Sequence, residues 1–175
     1  MSKVFGIVGW SGSGKTELIT RLIKYFCKKK ILVSSIKHTH HKFDIDKEGK
    51  DSFKHIQSGS NEVILYNENK WALVSRFQNK RIGIEEMIAK FDRKTQLILI
   101  EGLKYSKFPK IEVFRSSLDK SFLFEDDNYI KGVVSDKKIE NLELPIFSFK
   151  ETEKIGKFII NYLKLWKIDS QSLLV

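Results

Sequence analysis

The chain has 175 residues, 41% of them apolar, with 10 Gly and 2 Pro, which suits one domain with a substantial core and few unstructured stretches. Its formal charge of +10 admits nucleic acid, anionic lipid or a phosphorylated small molecule as partner, but no aromatic-interleaved basic motif accompanies the scattered lysines, so nucleic acid is disfavoured. No run of about 18 apolar residues and no signal peptide is seen, and one cysteine excludes an internal disulfide, so no membrane is expected and a reducing cytoplasm is.

In chain order, Val4-Phe5-Gly6-Ile7-Val8 reads as a buried strand. A glycine-rich loop, Gly9 to Gly14, follows. Lys15 to Lys29 carries Leu18, Leu22, Ile23 and Phe26 at helical spacing, and Lys28-Lys29-Lys30 falls at the helix C-terminus, where cations complement the dipole. Cys27 lies at the far end of this amphipathic helix and is expected to be buried. Ile31 to Ile36 is a second strand, completing a strand–helix–strand unit of the kind that builds parallel sheets. Asp51 to Ser58 predicts a short helix capped by Asp51 or Ser52 and ended by Gly59. Asn61–Tyr66 and Trp71–Phe77 flank the loop Asn67-Glu68-Asn69-Lys70 and predict a β-hairpin. Ile84 to Phe91 predicts a short amphipathic helix, and Leu97 to Ile100 a central strand buried on both faces. Lys110 to Arg115 alternates as a strand, Ile130–Val134 and Ile146–Phe149 supply the last two, and Ile155 to Trp166 a closing helix. The expected fold is a single α/β domain over residues 1–175, a mostly parallel sheet flanked by helices with an inserted β-hairpin.

Gly9-Trp10-Ser11-Gly12-Ser13-Gly14-Lys15-Thr16 matches the P-loop pattern in full, and it lies between a predicted strand and a predicted helix. Glycines let successive backbone N–H groups turn inward toward phosphate oxygens, and the helix start adds its positive dipole end. Gly9, Ser11, Gly12, Ser13, Gly14, Lys15 and Thr16 are therefore the candidate phosphate-binding residues, with Lys15 on the β- and γ-phosphates and the Thr16 hydroxyl on Mg²⁺. Glu101 directly follows the Leu97–Ile100 run, where an open α/β sheet places ligands, and is the candidate acidic partner of that metal.

Lys37-His38-Thr39-His40-His41-Lys42-Phe43-Asp44-Ile45-Asp46 leaves the second strand at its ligand end and holds three of the chain's four histidines. A metal site, a solvated loop, and recognition of a second anion by Lys37, His38, His40 and His41 are the readings open here. Asp46 is a further candidate for the Mg²⁺ site. Asp136, in Val134-Ser135-Asp136-Lys137 after a predicted strand, is the candidate for accepting the guanine N1 and N2 donors; the same residues also make an ordinary turn.

Taken together, the P-loop Gly9–Thr16, the run Lys37-His38-Thr39-His40-His41 with Phe43-Asp44-Ile45-Asp46-Lys47, Gly49-Lys50-Asp51-Ser52, Leu99-Ile100-Glu101-Gly102-Leu103-Lys104 and Pro109-Lys110-Ile111-Glu112-Val113 resemble the MobB family of adaptor proteins in molybdopterin-guanine dinucleotide biosynthesis. The resemblance covers the chain to about Arg115; the tail Asp169–Val175 has no counterpart in it. It implies a GTP-binding protein with weak hydrolysis and Mg²⁺ as cofactor ion. It also implies a homodimer that assists the MobA-type guanylyltransferase acting on molybdopterin.

The competing reading is a P-loop small-molecule kinase. Such an enzyme normally brings an arginine-rich lid over the phosphates, whereas Arg76 and Arg81 flank Lys80 near the hairpin and Arg93 and Arg115 stand alone in the sequence. A nucleic-acid-binding ATPase is the third reading, one that would show steep salt dependence.

Overall fold

The computed structural model describes residues 3–39, 48–76 and 82–165. In chain order the elements are β1 (Lys3–Val8), α1 (Lys15–Lys28), β2 (Val33–Lys37), α2 (Asp51–Gln57), β3 (Glu62–Tyr66), β4 (Trp71–Ser75), α3 (Ile84–Ile88), β5 (Leu97–Glu101), β6 (Lys110–Phe114), β7 (Ile130–Ser135), β8 (Ile146–Phe147) and α4 (Thr152–Leu163). They divide into two compact units, residues 1–38 with 91–175 and residues 39–90.

In the first unit six strands form one sheet in the order β2-β5-β1-β6-β7-β8, every neighbouring pair parallel. Parallel strands of one sheet need crossover connections, and α1 supplies the first, between β1 and β2 on either side of β5. The unbroken apolar run of β5 is buried along its whole length, as expected of a central strand. Alternate residues Phe5, Ile7, Leu97, Leu99, Ile111, Val113 and Val134 form one core cluster with Leu18, Ile19, Leu22 and Phe26 of α1 and Ile155 and Ile159 of α4. Each such side chain contributes on the order of 1.5–3 kcal/mol by leaving water. That stripe defines the buried face of α1. Cys27 stands off it and is exposed, contrary to the burial expected from its place in an amphipathic helix.

Over the opposite pleat of β1 and β6, irregular segments add to the packing. Phe108 sits over Gly6, and Phe122 stacks between Phe114 and Phe124 at centroid distances of 4.1 and 4.8 Å. The alternation of β6 therefore does not separate a core face from a wet one, since all five residues are buried. Lys110 is 0% exposed, and its ammonium donates to the carbonyls of Lys104 (2.7 Å) and Ser106 (2.6 Å) and to Asp127 Oδ2 (2.7 Å). Glu112 is also 0% exposed, and its carboxylate accepts the backbone N–H of Leu123 (2.9 Å) and of Phe124 (3.0 Å). Burial pushes the Glu112 carboxyl above its ordinary value, against the pull of those two N–H donors.

The second unit holds the antiparallel hairpin β3–β4, with Glu62 opposite Ser75 and Tyr66 opposite Trp71. Its turn is closed by Asn67, whose side-chain oxygen accepts the N–H groups of Asn69 and Lys70, both at 2.9 Å. In α2 the N-cap is Lys50 in extended conformation, so Asp51 and Ser52 are helical residues and not caps. The Asp51 carboxylate still complements the positive end of the helix and pairs with Lys54 at 3.2 Å.

Element ends differ from the sequence reading by a few residues. β2 begins at Val33, two residues after Ile31, where its pairing with Leu97 at the start of β5 begins. α3 ends at Ile88, short of Phe91. β8 stops at Phe147, and the Ser148 N–H turns to the Glu151 carboxylate (2.8 Å) at the entry to α4. Phe77, Trp166 and the tail from Asp169 lie outside the described residues.

Candidate functional site

The P-loop is a turn between the C-terminal end of β1 and the first turn of α1. Gly9 has φ +148°, and a methyl group there would lie 2.3 Å from the Val113 carbonyl oxygen of neighbouring β6. Gly14 caps α1 with φ +99°. Only glycine meets both demands without strain. Ser13 is buried behind the loop, with an orphaned hydroxyl, and its N–H donates to the Trp10 carbonyl at 3.2 Å.

At the mouth of the loop the side chains converge. Lys15 Nζ donates to the Trp10 carbonyl at 2.8 Å, folding the ammonium across the loop. Thr16 Oγ1 donates to Glu101 Oε1 at 2.7 Å, so the hydroxyl and the strand-tip carboxylate expected to share a metal are in direct contact. Glu101 is buried. Lys37, at the tip of β2, stands 3.2 Å from both Glu101 Oε1 and Thr16 Oγ1. The sheet order explains the grouping: β5 lies between β1 and β2, so its tip meets the P-loop on one side and Lys37 on the other.

A hydroxyl and a carboxylate are hard oxygen donors of the kind Mg²⁺ takes. The Lys37 ammonium occupies the same carboxylate, so a divalent cation held by Thr16 and Glu101 would compete with it there. Burial lowers the Lys15 ammonium below its ordinary pKa; Glu101 opposes that shift, and the Lys104 and Lys37 charges add to it.

Of the histidine segment, His38 is placed at the site: its N–H donates to the Glu101 carbonyl at 3.0 Å, and its side chain lies beside Gly102. His40, His41 and Asp46 lie outside the described residues. Among the described residues no group of three or more His, Cys, Asp and Glu is disposed to hold a metal ion.

Asp136 follows β7 on the other flank of the P-loop strand. Its Oδ1 accepts the Ser116 N–H at 2.9 Å and its Oδ2 faces the Ser116 hydroxyl at 3.2 Å, while the residue stays exposed. The same flank holds two residues that the sequence reading left out of the site. Arg115, directly after β6, lies over the Phe149 ring with its Cζ 4.3 Å from the centroid. Both reach the P-loop: a methyl on Gly14 would be 3.4 Å from Arg115 Nη2 and 3.3 Å from Phe149 Cε1. Arg115 stands alone in the sequence but not in space. The signal that could have found it is its place at the C-terminal end of a predicted strand, the ligand end of a parallel sheet.

Trp10, within the P-loop, is itself held from outside. Its Nε1 donates to the Ser121 carbonyl at 2.9 Å, and the Lys104 ammonium lies 3.6 Å from its ring centroid.

With this geometry in place, the comparisons with known proteins agree among themselves. The family model for MobB, molybdopterin guanine dinucleotide synthesis protein B, matches residues 4–136, which include the P-loop, Glu101, Arg115 and Asp136. The molybdopterin-guanine dinucleotide biosynthesis adapter protein of Haemophilus influenzae is 38% identical over 161 residues, 91% of this chain and 89% of that protein. The adapter protein of Escherichia coli is 30% identical over 167 residues, 94% and 95% of the two chains. The crystal structure of Bacillus subtilis MobB shares the fold, with a TM-score of 0.71 at 22% identity over 92% of this chain and 98% of that one. The chain belongs to the MobB family, molybdopterin guanine dinucleotide synthesis protein B.

Proposed function

We propose that this protein is a GTP-binding adapter of molybdopterin-guanine dinucleotide biosynthesis, assisting a MobA-type guanylyltransferase that joins a guanylyl group to molybdopterin. The observation that carries the reading is the convergence of Lys15, Thr16 and Glu101 at the mouth of a complete P-loop, in a chain 38% identical to a protein named for that pathway.

The residues divide the work by charge. Backbone N–H groups from Gly9 to Thr16 receive phosphate oxygens, and the start of α1 adds its dipole. Lys15 leaves the Trp10 carbonyl for the β- and γ-phosphates. Thr16 and Glu101, with Asp46 as a further candidate, hold Mg²⁺, which neutralises charge on the phosphates. Lys37, released from Glu101, turns with His38, His40 and His41 to a second anion, such as the pterin phosphate. Asp136 accepts from the guanine donors. No general base is assigned, so intrinsic GTP hydrolysis is slow and the site serves delivery more than turnover.

Two further features belong to this reading. The hairpin carries Ile64, Leu65, Tyr66 and Trp71 exposed, the last two 83% and 63% accessible, and a second copy of the chain covers them in a homodimer. No helix among the described residues is long and apolar enough to cross a membrane, and the cytoplasm is the compartment we assign.

The test is reconstitution. Guanylyltransferase, molybdopterin and limiting GTP are mixed with and without this protein, and dinucleotide cofactor formation is measured. Higher yield or rate, with a complex detected between the two proteins, is expected. No change and no complex removes the adapter reading and brings the small-molecule kinase forward.

A further inference from the structure

The sheet order separates the two ends of a bound nucleotide. Thr16, Glu101 and Lys37 sit on the β5–β2 flank of the P-loop strand. A triphosphate with its metal-bound end there would run across the start of α1 toward the β6–β8 flank. The nucleoside end is therefore met by what stands beyond Gly14 on that flank, and the residues there are Arg115 and Phe149.

We propose that Arg115 reads the acceptor edge of the base, donating from its guanidinium to the O6 and N7 of guanine; this rests on the nucleotide-binding reading above. The guanidinium lies over the Phe149 ring, its carbon 4.3 Å from the centroid, a contact that supports the fork and leaves N–H groups to donate. Phe149 is in turn fixed against the core cluster of the sheet. Guanine presents two adjacent acceptors, O6 and N7, which match a guanidinium bidentately, whereas adenine replaces O6 with an amino donor that repels it. Asp136 lies on the same flank, tied to Ser116 immediately after Arg115 by two hydrogen bonds. A cationic fork for the acceptor edge and a carboxylate for the donor edge thus come from adjoining strand tips, β6 and β7.

A phosphate role for Arg115 is the competing chemistry, and nucleotide analogues separate the two. Inosine triphosphate keeps O6 and N7 but lacks the 2-amino group; ATP lacks O6. Binding of GTP, ITP and ATP with Mg²⁺ is measured by calorimetry for the wild type, Arg115→Ala and Arg115→Lys. Thermal melts establish that each variant is folded. Affinity for GTP and ITP is expected to fall together, on the order of ten- to a hundredfold, the discrimination that a bidentate arginine–guanine pair supplies, while ATP affinity stays within about twofold. Arg115→Lys keeps the charge over Phe149 and loses the planar fork, so its loss is selective in the same direction and smaller, and it carries the test alone should Arg115→Ala not fold. An equal loss for GTP and ATP assigns Arg115 to phosphate and overturns the proposal, as does unchanged GTP affinity in the folded variants. A wild type that binds none of the three nucleotides removes the nucleotide-binding reading itself, and this inference with it.

Discussion

Replacing Lys110 by Met tests whether a fully buried ammonium organises the wall of the site. The Met side chain is close in length and apolar, so the strand loses no packing. What it loses is one charge and three donated hydrogen bonds, to the Lys104 and Ser106 carbonyls and to Asp127. The Asp127 carboxylate is left without its cation in a setting where its side chain is 18% exposed, and two carbonyls are left to find water. Breaking a buried pair by removing one partner costs about 3–5 kcal/mol. For a chain of this size that corresponds to a fall in melting temperature of roughly 6–20 °C, at about 2–4 °C per kcal/mol. Urea unfolding followed by circular dichroism gives the free-energy difference directly, provided the m-value is unchanged. Asp127→Asn is the paired control. It keeps volume and an acceptor oxygen but removes the counter-charge of an ammonium that is 0% exposed, so it too breaks the pair and costs about 3–5 kcal/mol. A Lys110→Met protein within about 1 kcal/mol of the parent would refute the reasoning, because an ammonium truly sealed among those acceptors cannot be removed so cheaply.

Lys15→Ala is expected to weaken GTP binding by about 1.5–3 kcal/mol, the value of a charge-assisted hydrogen bond; parental affinity in calorimetry would sink the phosphate assignment. Burial holds the Glu112 carboxyl above its ordinary pKa, so the folded state binds its proton more tightly than the unfolded chain does. The stability this group contributes is fully present below the unfolded value and is lost as pH rises through the folded one. Wild type therefore loses stability relative to Glu112→Gln over that window, and a difference independent of pH in urea titrations would contradict the assignment. Sedimentation at micromolar concentration should give a homodimer for the parent and a monomer for Trp71→Glu, since a charge at an exposed apolar hairpin position opposes burial against a second copy; a monomeric parent rules the dimer out.

What could be read from the sequence follows contiguity. The P-loop is legible because its groups are mostly backbone N–H and its side chains Lys15 and Thr16 are adjacent, so the whole loop is written in one stretch. Glu101 is legible because a fully apolar run marks β5 as central and its end as a ligand position. The hairpin turn is legible through Asn67, whose side chain closes it locally. Arg115 and Phe149 are not legible, because their meeting depends on strand order, and no local pattern places β8 on the flank opposite β5. The burial of Lys110 and Glu112 is hidden for a related reason. A period of two tells which residues share a face and not what covers it, and here the cover is formed by distant segments reached through 106 and 122. The exposure of Cys27 escaped because the buried stripe of α1 is narrow and excludes a residue one position past Phe26.

The two buried charges of β6 bear on the site through Trp10. Glu112 fixes the backbone at Leu123 and Phe124, two residues beyond Ser121, whose carbonyl receives the Trp10 indole N–H. Lys110 fixes the carbonyl of Lys104, whose own ammonium lies on the Trp10 ring. Both anchors therefore lead, by separate segments, to the same P-loop residue, and the Trp10 carbonyl is where Lys15 rests. A phosphate cradle made of backbone donors needs its loop held in one shape before ligand arrives, since ordering it on binding would be charged against affinity. Ionisable groups suit this purpose on a strand next to β1, because hydrogen bonds from a buried carboxylate or ammonium are directional, whereas the apolar contacts of the opposite face are not. The stability effects of Lys110→Met and Glu112→Gln should then be accompanied by weaker GTP binding, although neither residue touches the loop.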